Sequence, residues 1–283
     1  MSWVQVARKD FEDALRSKLL WVLSALMILV VAGISAIPQL LHIPGEGPAP
    51  GFEDAVSFAF TWMTAMISIV GLVVGYQAIV KERESGSIRF LLGLPNSRLD
   101  VVVGKVLGRA AVVAVPTVIG FLVGAVVIAA LYDGFVIADY VGLLVVSLVI
   151  GLVYVSVAVG VSAAVSTRAK AVAGVLGIYV LFDWLWWTVP MGIYWLGERE
   201  LPGSTDLPTW YVFMERIGLW EPLGVISSTL VDIAGVETIS TADRIAGDVP
   251  FYLEPWFAWV FVVAWIIIPL GLGYYRFNRT VLS

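Results

Sequence analysis

The chain has 283 residues, 60% of them hydrophobic and 14% charged, and its mean hydropathy is +0.93. A soluble domain is about 45–50% apolar and about 25% charged, so this composition excludes an ordinary soluble enzyme and a disordered chain. A net charge of −5 argues against nucleic acid as a partner, and with no cysteine and one histidine, His42, the chain has no disulfides, Cys nucleophiles, thiolate zinc sites or multi-histidine metal sites.

Residues 1–18 place Val4, Ala7, Phe11, Ala14, Leu15 and then Leu19 at helical spacing, with Arg8, Lys9, Glu12, Asp13 and Arg16 between them. That pattern predicts an amphipathic helix lying on the inner membrane face. From residue 19 to 283 the chain reads as one transmembrane domain. A spanning helix needs about 20 apolar residues, and six stretches qualify, at about 19–41, 55–80, 106–131, 141–165, 171–189 and 256–275. The first is read as a retained helix rather than a cleavable signal peptide, because it is long, follows a charged segment and lacks an A-x-A site. Since only helices and closed barrels satisfy the backbone in lipid, the fold class is all-α and polytopic.

Basic residues fix the orientation. With six alternating spans, 14 of the 17 Lys and Arg fall on one side together with 6 acidic residues, against 3 basic and 15 acidic on the other. Both termini are therefore expected in the cytoplasm, with a basic inner surface suited to anionic lipid headgroups and an acidic outer one. The long outer segment 190–255 contains two apolar runs, one from Trp210 to Trp220 and one opened by Pro222, which read as short interfacial or re-entrant helices. Nine of the 12 tryptophans lie between 184 and 265, as an outer aromatic belt requires.

Within the spans, Gly71/Gly75, Gly104/Gly108 and Gly120/Gly124 are G-x-x-x-G pairs that let helix backbones approach closely, inside one subunit or across a dimer. Pro116 is expected to bend the third span. Asp183 is the one acid well inside a span; it reads either as a hydrogen-bonded structural group or as part of a substrate path.

The cytoplasmic segment 81–105 is the most informative. Charges at Lys81, Glu82, Arg83 and Glu84 precede Gly86; Ile88, Phe90, Leu91 and Leu92 follow, then a turn at Pro95-Asn96-Ser97. By itself this fits a short amphipathic helix docking into a partner, or a charged loop with snorkelling side chains. No P-loop is present, because Gly104-Lys105 is followed by Val106 and the required upstream glycine is Leu99.

The order Glu82, Glu84, Gly86-Ser87, Leu91-Leu92, Pro95, Ser97-Arg98 and Gly104-Lys105 resembles the ABC-2 type transporter permeases. The amphipathic N-terminal helix, six spans and long last outer loop extend the resemblance over nearly the whole chain. It implies that 81–105 is a coupling helix, with Glu82, Arg83, Glu84, Gly86, Ser87, Leu91, Leu92, Pro95 and Arg98 at a partner interface. It also implies that Glu221-Pro222 begins an outer helix near the exit, making Glu221, Pro222 and Asp183 transport-path or outer-gate residues. The implied protein is the plasma-membrane permease subunit of an ATP-driven exporter, not itself an enzyme. It would pair with a second permease subunit, in a homo- or heterodimer, and with two ATPase subunits that bind ATP and Mg. An ATPase-independent membrane channel or scaffold is the alternative reading.

Overall fold

A computed structural model describes residues 3–16, 18–45, 48–88, 97–231, 240–245 and 247–279. The described chain is all-α, with a lone parallel bridge between Leu207 and Ile245. In order, α1 is Trp3–Leu15; α2 is Lys18–Ile28, continued by a π-turn at Leu29–Gly33; α3 is Ile37–Leu41; α4 is Phe52–Gly75; and α5 is Val80–Glu84. Then come α6, Arg98–Leu131; α7, Ile137–Ala164; α8, Arg168–Tyr179, continued by a π-turn at Val180–Leu185; and α9, Thr188–Glu198. The rest comprises α10, Thr209–Glu215; α11, Trp220–Leu230; α12, Thr241–Arg244; and, after two short 3-10 turns, α13, Ala258–Arg279.

Four stretches are long and apolar enough to cross a membrane: Phe52–Glu84, α6, α7 and Pro255–Arg279. Two bent pairs pass the same test together, bringing the total to as many as six: α1 with Leu20–Gly33, at 73°, and Arg168–Leu185 with α9, at 48°. The second bend falls inside the fifth predicted span, which hydropathy alone reads as continuous; the first falls between Leu15 and Leu20, where the amphipathic helix was expected to give way to the first predicted span. In the first predicted span, the Gln39 N–H donates to the Tyr132 hydroxyl (3.1 Å), which in turn donates to the Ser35 carbonyl (2.7 Å). A hydroxyl is thereby inserted into what would be an i to i+4 backbone bond, one of the recognised causes of helix distortion. α6, by contrast, runs through Pro116 without interruption.

The centre of the bundle is α7, which packs against α4, α6 and α13. Glycines set the close approaches. A Cβ on Gly71 would lie 3.0 Å from Tyr154 Cβ, and one on Gly75 would lie 2.6 Å from Ala158 Cβ, so both face α7. Gly104 and Gly108 face Val6 and Asp10 of α1, while Gly120 and Gly124 face Met27 and Val31. Each predicted small-residue pair is therefore filled from within the chain. The tightest crossing was not singled out from sequence: a Cβ on Gly273 of α13 would sit 2.2 Å from the Gly160 carbonyl oxygen of α7. Buried hydroxyls at Ser24, Ser68, Thr117, Ser147 and Ser227 donate to the carbonyl four residues back, so these polar groups are satisfied inside an apolar bundle.

The N-terminal helix differs from its predicted orientation. Its buried face is Val6, Asp10 and Ala14, packed on α6, while Trp3, Val4 and Leu15 are exposed. A carboxylate lies on the inner face because α6 supplies its counter-charges.

Candidate functional site

At the end of the bundle that carries the start of α1 and the end of α13, α4 stops at Gly75 and a turn leads into α5. The N–H groups of Ile79 and Val80 have no helical acceptor there, and both donate to Ser162 Oγ of α7, at 3.1 and 3.0 Å. α5 ends after one turn because Gly86 adopts φ +73°, the left-handed conformation that terminates helices and favours glycine. Leu91, Leu92 and Pro95 lie outside the described residues. On the far side, Ser97 opens α6 through a reciprocal cap: its Oγ accepts the Asp100 N–H (3.0 Å) and its own N–H donates to Asp100 Oδ2 (3.0 Å).

The charged residues of this segment reach into the chain's own helices. Lys105 Nζ lies 2.5 Å from Glu82 Oε1 and 2.8 Å from Asp10 Oδ1, and Arg109 Nε lies 2.8 Å from Asp10 Oδ2. Two cations and two anions thus join α1, α5 and α6 in a neutral, largely buried cluster. Arg83 Nη1 donates to the Ala163 and Val165 carbonyls at the open end of α7 (3.3 and 2.6 Å). Glu84 takes the Arg168 N–H on Oε1 (2.7 Å) and the Arg168 guanidinium on Oε2 (2.8 Å). A carboxylate there sits at the positive end of the α8 dipole. Arg98 donates to the Phe277 carbonyl and to that of Asn278 (2.9 Å), and stacks 5.3 Å above the Phe277 ring. Through Glu82, Arg83, Glu84 and Arg98 the segment is tied to α1, α6, α7, α8 and α13. Ser85 and Ser87 face outward, their hydroxyls 2.9 Å apart.

The opposite end holds the second predicted group. Asp183, in the π-turn, accepts a hydrogen bond from Tyr154 of α7, whose ring stands edge-on to Tyr179 at 6.1 Å. A cavity of about 100 Å³ is lined by Phe182, Asp183, Trp186, Glu215, Trp220 and Glu221, among others. The structure therefore brings Asp183 and Glu221 together, with Pro222 buried in the first turn of α11. Sequence reasoning missed Glu215 and Arg244. The Arg244 guanidinium bridges Glu215 (2.6 Å) and Glu221 (3.1 Å), and burial raises the Glu215 carboxyl above its ordinary range, with Arg244 opposing. It missed Arg216 too, which is fully buried and donates to the Glu254 carbonyl and Thr241 Oγ1, both at 2.9 Å. Burial lowers its guanidinium pKa. Their one sequence signal was the scarcity of cations in an acidic outer segment, where each has anions to meet.

Residues 4–282 match a family profile described as ABC-2 family transporter protein. The chain is 24% identical over 281 residues to the "Probable ABC transporter permease protein NosY" of Stutzerimonas stutzeri, covering 97% of each chain. It is 26% identical over 280 residues to the protein of the same name from Pseudomonas aeruginosa, again over 97% of each.

Proposed function

This chain belongs to the ABC-2 family of transporter proteins and is an ABC transporter permease, and we propose that it is the exporting membrane subunit of a complex powered by a separate ATPase. In this reading two permease subunits, identical or different, form the path through the plasma membrane, and two ATPase subunits holding ATP and Mg dock from the cytoplasm. Both termini lie on that side. The exposed Trp3, Val4 and Leu15 of α1 meet the lipid surface.

The observation that carries the reading is the wiring of the 82–98 segment. A docking element must move the spans when its partner moves. Here one short segment holds Asp10 through Lys105, the last carbonyls of α7, the first N–H of α8 and the last turn of α13. Ser85, Gly86 and Ser87 provide the outward contact, while Glu82, Arg83, Glu84 and Arg98 pass displacement inward. Asp183, Glu221 and Pro222 belong to the outer gate. The test is co-purification with the candidate ATPase, followed by transport and hydrolysis measured on the Glu84→Ala, Gly86→Trp double variant. Hydrolysis that continues while transport is lost is the expected result; unchanged transport at normal expression refutes the assignment.

A further inference from the structure

The α8 helix is held at its two ends and loosely along its length. At its start, Glu84 grips the backbone N–H and guanidinium of Arg168. About 18 Å further on, at 1.5 Å per residue over twelve residues, its π-turn and the residue after it are pinned by three hydrogen bonds. Asp183 accepts the Tyr154 hydroxyl of α7, and the Phe182 carbonyl accepts the Leu219 N–H (3.0 Å) while Trp186 Nε1 donates to the Met214 carbonyl (2.6 Å). Between these ends only Ala171 and Val175 are buried. An apolar cleft of about 290 Å³ lies between α8 and α4, and one of about 350 Å³ lies between the π-turn and α13, beside the edge-on contact of Phe182 with Trp265 (4.8 Å). Such a helix can shift axially with little packing to undo. The bond that resists the shift is the one to the central, densely packed α7, and it is polar in a place where polar groups are costly.

We propose that Tyr154 and Asp183 are positioning residues, a latch that holds the outer end of α8 until the coupling segment, pulling through Glu84, releases it. The release carries the π-turn, and with it the 214–221 loop and the Glu215–Arg244–Glu221 group, away from α7. This rests on the permease reading and specifies how the two ends of the molecule communicate.

The chain has no cysteine, so a single Trp187→Cys in the wall of the outer cavity reports on that end. The complex with its ATPase, in nanodiscs, is labelled with a membrane-impermeant maleimide, without nucleotide and trapped with ATP and vanadate. Removing this one buried hydrogen bond is expected to raise the nucleotide-free labelling rate about tenfold, to that of the trapped parent, in Tyr154→Phe. The Tyr154→Phe, Asp183→Leu pair is expected to do the same while leaving no buried carboxylate unpaired. Asp183→Asn, whose carboxamide oxygen still accepts the hydroxyl, stays near the parent. Glu84→Gln loses most of the response to trapping. Unchanged rates in both Tyr154 variants, a full response in Glu84→Gln, or a co-purifying parent whose labelling ignores nucleotide would each overturn the latch. Failure of any ATPase to co-purify would instead overturn the permease reading beneath it.

Discussion

Replacing Lys105 with Met tests whether the coupling segment is anchored as described. The ammonium lies within 2.8 Å of two carboxylates, and its side chain is 8% exposed, against 4% for Asp10 and 25% for Glu82. Removing one member of a buried pair typically costs about 3–5 kcal/mol, because a charge is left uncompensated. Two features reduce that here. Asp10 keeps Arg109 at 2.8 Å, and Glu82 is exposed enough to recover part of its hydration. The expected loss is therefore about 2–3 kcal/mol. At the roughly 2–4 °C per kcal/mol of a large domain, that lowers the melting midpoint by about 4–12 °C. The assay is thermal unfolding in detergent, followed by tryptophan fluorescence. Adding Glu82→Gln should recover more than half of the loss, since the orphaned charge is then gone. A single variant that melts like the parent, or a double variant less stable than the single, would refute the reasoning.

Gly273→Ala puts a Cβ 2.2 Å from the Gly160 carbonyl oxygen, forcing α7 and α13 apart, whereas the same change at Gly271 meets nothing within 4 Å. Detergent-stable yield should collapse in the first and hold in the second. Tyr132→Phe leaves the Ser35 carbonyl and Gln39 N–H without their bridge, at a cost of about 1–3 kcal/mol in thermal unfolding. Glu215 has its carboxyl pKa raised in the folded state by burial from an ordinary value of 4.5, so the folded state binds more protons than the unfolded one just above that pH. Its contribution to stability therefore falls as pH rises from the unfolded value through the folded one. Glu215→Gln should flatten the parent's stability profile in that window, as read from melting midpoints across pH.

The unbroken spans were legible because each is a continuous apolar run. The predicted limits of 141–165 differ by a few residues from those of the helix at Ile137–Ala164. The breaks were not, because hydropathy measures how apolar a stretch is and not whether its ladder is regular. The distortion at Ser35 needs a tyrosine 97 residues away. Asp183 stood out as a costly residue, yet its partner Tyr154 looked like one more aromatic in a helix. The charged run from Glu82 to Glu84 was legible as a motif; its wiring was not, since each side chain finds its counterpart on a different helix. Asp10 shows the reverse case: an acid that the helical pattern did not single out is buried because Lys105 and Arg109 arrive from α6.

The most direct test of the central claim is contact. Ser87→Cys in the otherwise cysteine-free chain is crosslinked with a short bifunctional maleimide in membranes containing the ATPase, beside Leu201→Cys, an exposed position at the opposite end. Ser87→Cys should capture the ATPase, more strongly with ATP bound, and Leu201→Cys should not. Capture by Leu201→Cys alone, or by neither in a complex that co-purifies, would contradict the account.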